Sequence, residues 1–237
     1  MAYFLCKPFK LFLKPTICVL HIILAESALE LVPQQLWGER SVLSSAKRIG
    51  KHPSQILLDR SLHHRAMLKL KDGLRRGRPD LVHQAVLAVT GAPAYLMGEA
   101  KLYIHTFANL VIEVTEKTRL PKTYFRFQGL MEKVLSGQKE ELLMVREMKA
   151  DELIDDIGAE SVIGFSRRGT LMKPEDWVSK YVKNNTIFVV GGFPRGGFSP
   201  DLVKEFDVMI AIHEMPLDAH VVLARVIYDY ERLRRPV

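Results

Sequence analysis

The feature that most constrains this chain is a recurrence of short, apolar, β-branched runs at residues 17–24, 102–106, 110–114, 161–165, 186–190 and 207–212. Runs of this length and composition predict strands. Most are continuous rather than alternating, the pattern of strands covered on both faces. Only Phe107, Ala108 and Asn109 separate the second run from the third, which predicts a hairpin. Helical spacing fills the intervals. Leu81, Val82, Ala85, Val86, Ala88 and Val89 follow Pro79, a favoured first-turn residue. Leu130, Met131, Val134 and Leu135 repeat at helical spacing, and Ala219, Val222, Leu223, Val226, Ile227 and Tyr230 form one stripe near the C-terminus. Strands alternating with helices predict an α/β fold with a mostly parallel sheet covered by helices. No repeat, low-complexity tract or long linker divides the chain, so residues 17–237 read as one domain.

The N-terminus tests that reading. Lys7, Lys10 and Lys14 precede an apolar run over 17–25, which has the outline of a signal peptide. His21 interrupts the run, Glu26 and Glu30 follow at once, and the run is too short to span a bilayer. It is therefore read as a buried first strand, with residues 1–16 an extension outside the fold and no membrane partner. Cys6 and Cys18 are the only cysteines, too few for a disulfide framework or a zinc site. They fit a reducing, cytoplasmic setting. A formal charge of +7 and a pI near 9.4 favour a polyanionic partner.

Two segments follow strand candidates and suit a ligand. Gly191-Gly192-Phe193-Pro194-Arg195-Gly196-Gly197 has the glycines that let backbone approach a ligand closely. It lacks the Gly-Lys-Ser/Thr of a P-loop and the spacing of a dinucleotide fingerprint. A tight turn leaving a strand is the plain alternative, but strand C-termini in open α/β sheets are where ligands bind. Ile212-His213-Glu214-Met215-Pro216-Leu217 closes the last strand. The next histidine is His220, so the zinc-protease spacing fails and no metal site is expected.

Two basic constellations lie upstream. Arg75-Arg76-Gly77-Arg78-Pro79-Asp80 sets arginines beside a carboxylate at a helix start, and residues 119–127 interleave Arg119, Lys122 and Arg126 with Tyr124, Phe125 and Phe127. Cations neutralise phosphates, and exposed aromatics stack on unpaired bases. Solvated cations over core aromatics are the alternative for either cluster alone. Two clusters on a basic chain favour RNA. Asp80 reads either as an ion-pair partner at a helix N-terminus or as a carboxylate that handles a base edge or a proton. His63 and His64 are adjacent and point apart on a helix, which argues against a joint metal site.

These residues together carry a resemblance. Ile22-Ile23-Leu24-Ala25-Glu26-Ser27-Ala28-Leu29-Glu30, Leu57-Leu58-Asp59-Arg60-Ser61-Leu62-His63-His64, Gly77-Arg78-Pro79-Asp80 and Arg126-Phe127-Gln128-Gly129-Leu130-Met131 resemble the small-subunit ribosomal RNA pseudouridine-N1-methyltransferases, archaeal form. These are ribosome-biogenesis factors of the SPOUT superfamily, and the likeness runs from about Ile22 to the C-terminus. It implies an α/β fold with a C-terminal trefoil knot, a rare exception to ordinary chain topology, and a homodimer that gives the C-terminal stripe a surface to bury.

The resemblance also implies S-adenosyl-L-methionine as cofactor, held by Phe165, Ser166 and Gly169, by Gly191, Gly192, Phe193 and Gly196, and by Ile212, His213, Glu214, Met215, Pro216 and Leu217. It implies an RNA surface of Arg60, Arg78, Asp80, Arg119, Lys122 and Arg126. Eukaryotic relatives often carry arginine at Lys122, and lysine keeps the charge without the planar fork. The implied reaction is methylation of pseudouridine N1 in small-subunit ribosomal RNA, with a flipped-out nucleotide and Asp80 binding or deprotonating the N1–H. A non-catalytic RNA-binding assembly factor is the competing expectation.

Overall fold

The computed structural model describes residues 19–115, 118 and 120–234. The extension 1–16, the start of the first apolar run and Arg119 lie outside the described residues. Strands β1 (Val19–Ser27), β2 (Ala100–Thr106), β3 (Leu110–Val114), β4 (Leu143–Glu147), β5 (Ser161–Leu171), β6 (Asn185–Gly191) and β7 (Val208–Ala211) form one sheet, ordered β4-β3-β2-β1-β6-β5-β7. From β2 to β7 the neighbours are parallel, and β3 and β4 extend the sheet antiparallel. The hairpin falls where the spacing predicts it. Asn109 adopts a left-handed φ of 57° and its N–H donates to the Thr106 carbonyl, a conformation asparagine tolerates better than most residues.

Helices α1 (Arg40–Ile49), α2 (Arg60–Met67), α3 (Pro79–Thr90), α4 (Pro93–Leu96), α5 (Tyr124–Leu135), α6 (Ala150–Ile157), α7 (Pro174–Tyr181), α8 (Pro200–Lys204) and α9 (Ala219–Arg234) cover the sheet. Alternate residues of each central strand enter different cores. Leu20, Ile22 and Leu24 of β1 join α3, α5, α7 and α9 on one face, and Ile23 and Ala25 join α6 and Leu202 of α8 on the other. Double coverage explains the unbroken apolar runs. β4 gives no such run because it is an edge strand, with Leu143 buried and Met144 and Val145 exposed. β5 also outruns its apolar segment. After Phe165 pairs with Ile210, residues 166–169 bulge out, and Thr170 returns to the same Ile210.

Between β1 and α3 a third, smaller core forms around Val32, Leu36, Val42, Ile56, Leu58 and Met67. This insertion leaves the sheet and returns to it, and its last segment is fixed by the Arg78 N–H donating to the Ala28 carbonyl at 2.9 Å. The C-terminal stripe meets a different fate from the one expected. Leu223, Val226, Ile227 and Tyr230 are buried within the chain, where α9 packs on α3 and Tyr230 meets Phe188 edge-on. Helical periodicity revealed the apolar face but not what covers it.

His21 in β1 is buried, stacked on Tyr103 with its Nδ1 3.2 Å from the Tyr103 hydroxyl. Burial first, and the Lys101 charge second, lower its pKa from 6.5 to about 4. As pH falls through 6.5 the unfolded chain takes up this proton and the folded chain does not, so stability is full above 6.5 and drains away toward pH 4. The shift corresponds to about 3 kcal/mol. His21→Gln, which keeps a polar group toward Tyr103 but cannot titrate, is expected to flatten unfolding free energy between those limits. Urea unfolding at several pH values checks it, and parallel curves for parent and variant would contradict it.

Candidate active site

Three parallel strands end in one row. Phe165 of β5 pairs with Val190 of β6 and with Ile210 of β7, and these side chains floor a cavity of about 450 Å³. Such a volume suits a small-molecule ligand. Its position beyond the strand C-termini, beside the β1–β6 junction where strand order changes direction, is where open α/β sheets bind ligands. Trp177 is fully buried against Phe165 and Phe188, at ring separations of 5.4 and 5.6 Å, and supports the floor from below.

The walls are the two segments that follow β6 and β7. Gly191, Phe193 and Gly196 line the cavity from one side, Ile212, His213, Met215, Pro216 and Leu217 from the other, and Phe165 and Ser166 complete it. Gly196 has φ +102°, a conformation glycine adopts without strain. Pro194, Arg195 and Gly197 of the same glycine segment also line the cavity, as do Arg167 and Phe198, which sequence reasoning did not single out. Each lies beside a chosen residue, and adjacency was the available signal. His213 turns its Nδ1 back to accept the Met215 N–H at 3.0 Å.

Three expected residues stand outside that lining. Gly192 faces β1, where an added Cβ would lie 2.3 Å from Ser27 Oγ. Gly169 lies at the end of the β5 bulge against β7, with a Cβ 2.3 Å from the Met209 carbonyl oxygen. Both glycines allow close approach of protein to protein. Glu214 is exposed.

Sequence reasoning missed the clamp on the glycine segment. A bulge between Leu24 and Ser27 interrupts the β1–β2 register, and Glu26 sits in it with φ 50°. Bulges re-aim side chains. Here Glu26 Oε2 accepts Arg75 Nη2 at 2.7 Å and Oε1 accepts the Ser199 N–H at 3.0 Å. The Arg75 guanidinium lies 4.3 Å from the Phe193 ring centroid, a cation–π contact. One carboxylate therefore ties the insertion to the segment that walls the cavity. Its own N–H donates to Nδ1 of His105, whose pKa burial lowers, so the ring accepts there as a neutral group.

The basic surface adjoins this clamp. Arg78 and Asp80 form a two-pronged ion pair, Nε to Oδ1 and Nη2 to Oδ2, both at 2.8 Å. For Asp80, partial burial works to raise the pKa, but the Arg78 hydrogen bond and charge and nearby backbone N–H groups outweigh it, and the net shift is downward. Arg78 is pushed upward, mainly by its bond to Asp80, and also by the charge of Asp218. Arg75, three residues before Arg78, stacks on the cavity residue Phe193, which joins this segment to the cavity wall. Tyr124 donates its hydroxyl to Asp59 Oδ2 at 2.9 Å, joining α5 to the start of α2. Lys122 and Arg126 are exposed, whereas Arg60 donates to the Gly73 carbonyl and is half-buried. His63 is buried, with its Nδ1 accepting the Asp59 N–H. Among the described residues no group of His, Cys, Asp and Glu side chains is arranged to hold a metal, and no helix is long and apolar enough to cross a membrane.

Comparison with known proteins bears on this arrangement. Residues 22–231 match the model of the EMG1/NEP1 methyltransferase family. Curated relatives called ribosomal RNA small subunit methyltransferase Nep1 are similar throughout. The one from Staphylothermus marinus is 40% identical over 220 residues, covering 90% of this chain and 96% of the relative. The one from Thermococcus sibiricus is 40% identical, covering 90% and 98%. A crystal structure of Archaeoglobus fulgidus Nep1 bound to S-adenosylhomocysteine superposes with a TM-score of 0.80 at 31% identity, over 91% of this chain and 98% of that one.

The clamp makes its own prediction. Glu26→Ala leaves the Arg75 guanidinium and the Ser199 N–H without their acceptor, at a cost of about 1–3 kcal/mol. Denaturant unfolding is expected to show that loss, and hydrogen exchange at the Ser199 amide is expected to quicken. Unchanged stability together with unchanged exchange would mean that Glu26 does not hold the segment.

Proposed function

The chain belongs to the EMG1/NEP1 methyltransferase family, and on that premise we propose that it methylates N1 of a pseudouridine in small-subunit ribosomal RNA, using S-adenosylmethionine. The observation that carries this reading is a strand-end cavity whose wall residue Phe193 stacks with Arg75, three residues before the Arg78–Asp80 pair. The cavity suits the cofactor. Its apolar floor of Phe165, Val190 and Ile210 would take the adenine ring, and the glycine segment and residues 212–217 would offer backbone groups along the walls. The S-adenosylhomocysteine bound by the Archaeoglobus fulgidus protein is the corresponding product and supports the assignment.

The cofactor supplies an activated methyl carbon: the base nitrogen bonds to it as the carbon–sulfur bond breaks, and the N1 proton leaves. The protein's task is to align the partners, with Asp80 holding the N1–H while the proton passes on to solvent water. Both carboxylate oxygens of Asp80 accept from Arg78, and the carboxylate is half-exposed, open to a further donor. Asp80 can therefore accept the N1–H of the base and orient it. Its lowered pKa makes it a weak base, which favours orientation over full deprotonation. Lys122 and Arg126 would meet phosphates. Arg60 supports the segment before Arg78 through its bond to Gly73.

The family likeness extends the proposal to a trefoil knot, a homodimer and a cytoplasmic setting. For the dimer, Leu96 and Tyr228 expose apolar surface on α4 and α9, which pack together.

Incubation with S-adenosylmethionine and a hairpin carrying pseudouridine, followed by nuclease digestion and mass spectrometry, tests the reaction. N1-methylpseudouridine is the expected product, and RNA binding without any methylation would favour the assembly-factor reading. Asp80→Asn is expected to slow single-turnover transfer by ~10²-fold or more. Because the Asp80 pKa is lowered, the parent rate should hold as pH falls through the ordinary carboxylate range and decline only below it. An undiminished rate in Asp80→Asn would remove the carboxylate from the mechanism.

A further inference from the structure

Helix α5 begins with an arrangement that neither the fold nor the methyl-accepting site uses. Phe125 is 82% exposed, more than any other large apolar side chain among the described residues. Its helix neighbours are engaged elsewhere. Tyr124 is tied to Asp59, and Phe127 is fully buried against the His83 ring at 4.6 Å. Phe125 therefore projects from the outer side of the helix, in company with exposed Lys122 and Arg126.

One turn further along the same side stands Gly129, since residues four apart share a helix face. Glycine inside a helix costs about 1 kcal/mol relative to alanine. Packing does not demand it here, because a Cβ at Gly129 would meet no atom within 4 Å. The missing side chain leaves a shallow step beside the Phe125 ring. An open aromatic face, a step with no side chain and flanking cations together suit a flat ring joined to phosphates. They suit an unpaired nucleobase.

We propose that Phe125 is a stacking platform for an unpaired base of the RNA substrate, next to the nucleotide that receives the methyl group. The proposal rests on the RNA reading above. Tyr124 links the two places: its neighbour Phe125 faces outward, and its own ring lies 5.9 Å from that of His83, one helical turn along α3 from Asp80. A base on Phe125 fixes the strand beside the target, while Lys122 and Arg126 hold the phosphates on either side. Stacking of this kind tolerates any base, so the platform adds affinity and register without strict sequence choice.

The test titrates the full-length protein against a hairpin RNA whose loop carries 2-aminopurine beside the pseudouridine. Phe125→Ala is expected to bind about 5- to 100-fold more weakly, and to lose the quenching of 2-aminopurine seen with the parent. Phe125→Trp should restore both, whereas Phe125→Leu should restore neither, because it keeps apolar bulk without a π face. The salt dependence of binding should be unchanged in Phe125→Ala and flattened in Arg126→Ala, which alone removes a phosphate contact. Melting temperatures should not move, given the exposure of the ring. If Phe125→Ala binds and quenches like the parent while Arg126→Ala weakens binding, the platform is refuted and the RNA surface stands. If the parent does not bind the hairpin, both readings fall.

Discussion

Gly192 donates its N–H to the Ala25 carbonyl at 2.8 Å and accepts the Ala28 N–H at 2.8 Å, and these paired bonds fasten the end of β6 to the end of β1. The absence of a side chain at Gly192 makes the approach possible, because Ser27 occupies the space a Cβ would need. From this crossing the glycine segment turns out over the sheet and becomes the cavity wall. The β1 chain leaves in the other direction into the insertion, which returns through Arg78 at the Ala28 carbonyl. Cofactor cavity and RNA-facing carboxylate thus hang from two consecutive turns of backbone around Ala25 and Ala28.

Electrostatics finish what this crossing begins. The segment from Arg75 to Asp80 carries strong charges, yet each arginine in it has a defined acid. Arg75 has Glu26, Arg76 has Glu30, and Arg78 has Asp80. The Arg76–Glu30 pair is mostly buried and holds the insertion's last turn. The Arg78–Asp80 pair is half-exposed, so water screens it and it adds little to stability. Its value lies in presenting a fixed carboxylate at the surface. Further out, Lys122 and Arg126 have open surroundings and the net charge of +7 favours phosphate.

The parts of this architecture legible in the sequence are those whose signal is local. The central strands could be read because burial on both faces leaves an unbroken apolar run, and Pro79 marked the start of α3. Edge strand β4 could not, since one solvated side and a single core residue leave no pattern. The cavity segments were recognisable from their place after a strand, the first also from its glycines. What sequence could not say is which partner a glycine approaches. Gly191 and Gly196 line the cavity, whereas Gly192 and Gly169 meet backbone or side chain of the protein itself. The C-terminal stripe has the same ambiguity, and α3 covers it. The clamp of Glu26 and Arg75 was not legible because it depends on Phe193 and Ser199, far away in sequence.

The central claim is spatial: cofactor in the strand-end cavity, target base against Asp80, and the two within reach of each other. A crystal structure of the protein with S-adenosylhomocysteine and a pseudouridine hairpin tests it directly. The account predicts the product cofactor between residues 191–197 and 212–217, with the flipped base turning N1 toward the sulfur and Asp80 at hydrogen-bond distance from that nitrogen. Cofactor bound elsewhere, or a target base remote from Asp80, would contradict it.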